Sequence, residues 1–113
     1  MTGPRRGSAQ RCLVVLVTCP TRPKALALAE AVVRKRLAAC ATLLSGAESR
    51  FWWEGKIDRA RETLLILKTT AGRFEQLRRA ILRLHSYDVP EIIALPISVA
   101  HPPYLQWVRS SCG

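Results

Sequence analysis

The sequence predicts an α+β fold of the ferredoxin-like class: β-α-β-β-α-β with an antiparallel sheet, an extra C-terminal helix and a long hairpin between strands 2 and 3. Three observations predict it. Strand-length apolar runs alternate with two amphipathic stretches of helix length, and the second and third strands follow one another directly across "EGK". The 113 residues, 49% hydrophobic and 23% charged, are enough for one core and not two.

The run "LVVLVT" (13–18) is apolar and largely β-branched, which suits a strand buried on both faces. Thr21 is placed to cap the following helix, with Pro23 near its start, where a missing N–H costs least. Leu26, Ala29, Val33, Leu37 and Cys40 step by three or four residues and define its sheet-facing stripe, so Cys40 reads as a core cysteine near the helix end. From Ala41 the chain turns β-like, Gly46 marks a bend or bulge, and Ile57 to Thr70 returns. "GRFEQLRRAILRLH" is a second amphipathic helix, with Phe74, Leu77, Ile81 and Leu84 on one face and Glu75 spaced to pair with Arg79. "EIIALPIS" is the fourth strand, in which Pro96 points to an edge position or a bulge, and Pro102-Pro103 open the last helix.

The hairpin carries the first functional signal. A strand from Ala41 to Trp53 extends about 40 Å at ~3.3 Å per residue, whereas a compact domain of this size is only about 30 Å across. The arms must overhang. Phe51 and Trp53 then point to one side and Trp52 to the other, so large apolar surface stands where one chain cannot bury it. Phe51, Trp52 and Trp53 are therefore expected to form a subunit interface.

Residues 1–11 are polar and basic and read as a flexible N-terminal tail, leaving 12–113 as a single domain. The apolar run after the tail is too short for a leader and lacks a small-residue cleavage site, and no run approaches the roughly 18 apolar residues of a membrane span. The expectation is a cytoplasmic protein with no membrane insertion. Cys12, Cys19, Cys40 and Cys112 lack C-x-x-C spacing and read as free thiols. The net charge of +10 invites a nucleic-acid reading, but the basic residues are scattered over tail, helices and hairpin.

The segments "LVTCP" (16–20), "KRLAACATL" (35–43), "WEGKI" (53–57), "ILKTT" (66–70), "HSYDVPEIIALPI" (85–97) and "YLQWV" (104–108) resemble, in order, those of the CutA family of divalent-cation tolerance proteins. The resemblance implies a homotrimer whose long hairpins pair across subunits. It also implies a protein without catalysis that binds metal ions or small anions at clefts between subunits, copper or another divalent ion being the metal and no cofactor being required. Animal relatives imply a second role, the anchoring of acetylcholinesterase.

In the family the proposed copper site uses a Cys late in the first strand and two adjacent His after the second helix. The matching positions here are Val17, Leu84 and His85, of which only His85 is a ligand type. Cys19, Cys40, His85 and Glu91 remain as metal candidates, with Lys68 and Tyr87 as candidates for a ligand cleft. His85 has a structural alternative as the cap of the second helix, and Glu91 as the ion-pair partner of Lys68 or of an Arg on the next subunit. His101 reads as a solvent-facing loop residue.

Two other classes fit less well. An RNA-recognition module shares the element order, but its third strand needs stacking aromatics and this one reads "TLLILKTT", so nucleic acid is an unlikely partner. An acylphosphatase-like enzyme would use Arg22 and Lys24 after the first strand, yet no nucleophile–base pair accompanies them.

Overall fold

The computed structural model describes residues 8–113. A 3-10 turn (Ser8–Gln10) leads into β1 (Cys12–Cys19), α1 (Arg22–Arg34), β2 (Cys40–Trp53), β3 (Lys56–Thr70), α2 (Ala71–Leu84), β4 (Ile92–Pro96) and α3 (Pro102–Ser111). The four strands form one antiparallel sheet in the order β2-β3-β1-β4, the ferredoxin-like arrangement expected. Residues 1–7 of the expected tail lie outside the described residues. Residues 8–11, in contrast, are tied down: Arg109 Nε donates to Gln10 O at 2.9 Å, Ala71 N donates to Arg11 O at 2.8 Å, and Ala9 rests against Gly72.

Alternation divides the sheet into two unlike faces. Val15, Val17, Leu65 and Leu67 are fully buried and point toward the helices, where Val32, Leu77 and Ile81 meet them. Each such side chain contributes about 1.5–3 kcal/mol of transfer free energy. The opposite face carries Val14 and Leu16 of β1, Leu64 and Ile66 of β3, Leu44 of β2, and Ile93 and Leu95 of β4. Leu44, Ile93 and Leu95 are each about half exposed. The strand expected to be buried on both faces is thus fully buried on one: on the second, α3 covers only its start, where Cys12 is buried against Leu105 and Val108, and Val14 and Leu16 stay half-buried.

Thr21 caps α1 through its hydroxyl, which accepts from Lys24 N at 3.3 Å. The buried stripe is Ala25, Leu28, Ala29 and Val32; of the expected residues Ala29 and Leu37 are buried, whereas Val33 is half-buried and Leu26 is exposed. The helix stops at Arg34, and Arg36 reverses the chain at φ +59. Cys40 is consequently the first residue of β2 and half-buried, not a core residue at a helix end. In α2 the buried residues are Leu77, Ala80 and Ile81, whereas Leu84 is exposed. The expected Glu75–Arg79 pair forms at 3.2 Å, and Arg78 joins it at 2.7 Å.

The hairpin closes in a two-residue turn, Glu54 at φ +49 and Gly55 at φ +83, the backbone that twisted strands favour. Its overhang stretches the molecule to 51 × 28 × 24 Å. Between Leu44 and Ala47 the register slips, with Gly46 at φ +85, so β2 carries a bulge where the sequence marked one. The bulge also reverses β2 relative to β3. Beyond it, Ser49, Phe51 and Trp53 share the face of Leu64 and Ile66, while Glu48, Arg50 and Trp52 share the helix-side face. The hairpin's aromatic pair thereby continues the uncovered apolar face. Pro96 ends β4, which is an edge strand.

Candidate functional site

Two polar clusters interrupt the apolar surface. The first sits where β1 ends. Glu62, buried and carried by β3, accepts from Ser49 Oγ at 2.6 Å and from the Tyr87 hydroxyl at 2.8 Å, one oxygen each. These bonds tie the bulged strand and the loop after α2 to one carboxylate. Burial pushes the Cys19 thiol up to about 11, and the nearby Glu62 charge adds to the effect. The Tyr87 phenol rises to about 12, again by burial first and then by its bond to Glu62. Burial first, and the Glu62 carboxylate second, hold both groups in their protonated forms.

His85 belongs to the same region and is fully engaged. Its Nδ1 accepts from Tyr87 N at 3.0 Å, so Nε2 carries the proton and donates to Thr18 O at 2.7 Å. Its ring lies against that of Tyr87 with centroids 4.8 Å apart. The helix-cap role falls to the His85 backbone N–H, which donates to Ile81 O at 2.8 Å.

The second cluster lies at the other end of β3. The Lys68 ammonium stands 4.0 Å from Cys40 Sγ, and the Tyr104 hydroxyl approaches the same sulfur at 3.7 Å. Tyr104 in turn packs against Trp107 at 5.6 Å. Glu62 and Lys68 are six positions apart on β3, roughly 20 Å at ~3.3 Å per residue. Cys40 and His85 therefore do not share a site within one chain.

The four metal candidates separate accordingly. Cys19 and His85 line one small hollow with Pro20, Lys24, Leu28, Leu84 and Ser86, Cys40 stands at the far end of the sheet, and Glu91 is exposed. Lys68 is directed to Cys40, and of the two ion pairs open to Glu91 the one with Lys68 does not form in the single chain. Val17 is in the core. Among the described residues no three His, Cys, Asp or Glu side chains gather as a metal site would need, and the two donors that do approach are a protonated thiol and an imidazole already bonded at both nitrogens. A copper ion does not fit this donor set in a single chain. His101 is exposed at the start of α3, as expected.

Sequence reasoning missed Glu62, Ser49 and Tyr104. Glu62 leaves a trace: it is an acidic residue placed directly before the apolar run of β3. Its partners leave none, because they come from 13 and 25 positions away.

Residues 13–111 match the family model described as CutA1 divalent ion tolerance protein. The chain belongs to this family. It is similar to the divalent-cation tolerance protein CutA of Thermus thermophilus, 42% identical over 100 residues that make up 88% of this chain and 97% of that one. Protein CutA of Mus musculus is 44% identical over 93 residues, 82% of this chain but only 52% of the mouse protein. Among solved structures, CutA from Xylella fastidiosa superposes with a TM-score of 0.89 at 37% identity, covering 91% of this chain and 99% of the other. CutA1 from Oryza sativa gives 0.88 at 39% identity, covering 93% and 96%. The described residues include no helix long and apolar enough to cross a membrane.

Proposed function

We propose that this divalent-cation tolerance family member works as a homotrimer without catalysis, holding metal ions or small anions at clefts between subunits. The observation that carries the trimer is the apolar face of Leu16, Leu64, Ile66, Ile93 and Leu95, continued along the hairpin by Phe51 and Trp53. Such a surface is larger and more contiguous than the scattered apolar residues of a monomer's exterior. A closed three-fold ring needs two different patches that complement one another, and the sheet offers two unlike free edges, β2 and β4.

The same assembly supplies the clefts. Cys40, Lys68 and Tyr104 are grouped where α3 borders the apolar face, and Glu91 precedes the free edge strand β4, so donors from two chains can combine where one chain has too few. The unpaired thiols suit a reducing compartment, in keeping with a cytoplasmic protein. The relatives' names describe tolerance to divalent cations rather than a reaction, which supports a binding role.

Equilibrium dialysis of the reduced protein against copper tests the metal part. Uptake in an integral ratio to chains, weakened at least tenfold in Cys40→Ser or Glu91→Gln and unchanged in His101→Ala, is expected. Uptake that no Cys, His or Glu substitution alters contradicts it.

A further inference from the structure

The helix-side face of the overhanging hairpin has its own chemistry. Arg50 and Arg59 are direct cross-strand partners, as are Glu48 and Arg61, and all four point to this side. Cross-strand partners have Cβ atoms about 4.5–5.5 Å apart, a spacing at which like charges destabilise a sheet. Arg61 meets Glu48 at 3.4 Å. Arg50 and Arg59 form no ion pair among the described residues: Arg50 Nη1 donates only to the neighbouring Ser49 O, at 3.1 Å. Asp58, the acidic neighbour of Arg59 in sequence, falls by alternation on the opposite face. Its Oδ1 accepts from the Arg59 backbone N at 2.8 Å.

Two arginines thus extend from directly paired positions of a two-stranded ribbon, neither of them in an ion pair among the described residues, at a groove of 360 Å³ lined by Glu48, Arg50, Arg59, Ala60 and Arg61. Trp52, 73% exposed, stands next on the same face, toward the hairpin tip. The bulge at Gly46 turns this face away from the apolar side that carries Phe51 and Trp53, so the proposed trimer interface does not consume it.

We propose that this groove binds a phosphate-bearing anion, with the Arg50 and Arg59 forks on the phosphate oxygens and Trp52 beside them as a platform for any ring the anion carries. Planar guanidiniums match phosphate geometry bidentately, and two of them balance a multiply charged phosphate that a single surface cation would hold weakly. The phosphate also removes the repulsion built into the Arg50–Arg59 pair. The net charge of +10 raises the local anion concentration without choosing the site. The choice comes from the register.

The test is titration of the full chain with tripolyphosphate and, separately, with ATP, followed by calorimetry and by tryptophan fluorescence. Saturable binding is expected, with Arg50→Gln and Arg59→Gln each weakening it by about tenfold. Arg83→Gln, which removes one charge from the exposed end of α2, should leave it within about twofold. Without anion the Arg59→Gln variant should be at least as stable as the parent, because it relieves a like-charge pair. Tighter binding of ATP that disappears in Trp52→Ala identifies the phosphate as a nucleotide's, whereas equal affinity for the two anions identifies it as free polyphosphate; both support the site. Absence of saturable tripolyphosphate binding overturns it, as does an Arg83→Gln variant that loses as much affinity as Arg59→Gln, or an Arg59→Gln variant that is destabilised without anion.

Discussion

The Tyr87 hydroxyl donates to Glu62 Oε2 at 2.8 Å, fastening the loop between α2 and β4 to the root of the hairpin. Replacing Tyr87 by Phe removes a donor from a buried carboxylate and keeps the ring. The expected loss is about 1.5–3 kcal/mol, the usual worth of a hydrogen bond to a charged group. Denaturant unfolding at pH 7 measures it. Val89→Ala, a change at a solvent-facing residue of the same loop, should stay within about 0.5 kcal/mol.

Stability should fall at alkaline pH. The Cys19 thiol is raised from 9.0 to about 11 and the Tyr87 phenol from 10.0 to about 12, so the folded state holds both protons more tightly than the unfolded state does. That contribution is complete below pH 9 and is lost as the pH climbs through 11 and 12. Thermal midpoints taken from pH 8 upward should decline, and Cys19→Ala should make the early part of the decline shallower. A midpoint that rises over this range would refute the assignment.

At low pH the sign reverses for Glu75. Its hydrogen bond with Arg78, aided by Arg79, holds its carboxyl near 2 rather than 4.5. The folded state then loses a proton more readily, so its contribution is present above pH 4.5 and fades as the pH falls toward 2. The side chain is about half exposed, so the effect should be small and should shrink further with added salt. Carbon-detected titration of the Glu75 carboxyl reads it directly.

Gly46 holds φ +85 at the bulge that sets which residues of β2 face the apolar side. A β-branched residue is strained there. Gly46→Val should cost about 1–2 kcal/mol from the backbone alone, and more if the register slips, since a slip by one residue exchanges Trp53 for Trp52 on the apolar face. Circular dichroism melting checks the cost, and hydrogen exchange across residues 47–53 reports the register.

The element order was legible because periodicity and turn residues agree along the whole chain: Thr21 and Pro23 at a helix start, Glu54 and Gly55 at the hairpin, Gly46 at the bulge. The helix faces were less legible. In an Ala-rich helix such as α1 the contrast between Ala25 and Leu26 is weak, and hydrophobicity alone picked the exposed leucine over the buried alanine. Cys40 was placed with the helix because its end at Arg34 and the reversal at Arg36 involve no glycine or proline. The even-numbered positions of β1 resembled those of a doubly buried strand because Val14 and Leu16 are as apolar as the core residues Val15 and Val17, although the single chain leaves them half-buried. Glu62 with Ser49 and Tyr87 could not be read at all, since that cluster exists only once the bulge and the loop after α2 are in place.

The aromatic hairpin yields the sharpest contrast between two substitutions. Trp53 lies on the apolar face and is 59% exposed in the single chain, whereas His101 is exposed at the start of α3 with no side-chain cap bond. Truncating an aromatic anchor at the centre of an interface costs about 2 kcal/mol or more. Trp53→Ala should lower the concentration-dependent thermal midpoint well below the parent's, with His101→Ala unchanged. Equal midpoints at matched protein concentration would remove the hairpin from the interface.

The most direct measurement is native mass spectrometry of the reduced protein across a range of concentrations. A trimer that persists on dilution, and that Trp53→Ala weakens, is the predicted result. A stable monomer would contradict the account, because the face of Leu16, Ile66, Ile93 and Leu95 and the aromatic pair Phe51 and Trp53 would then stand in water with nothing to cover them.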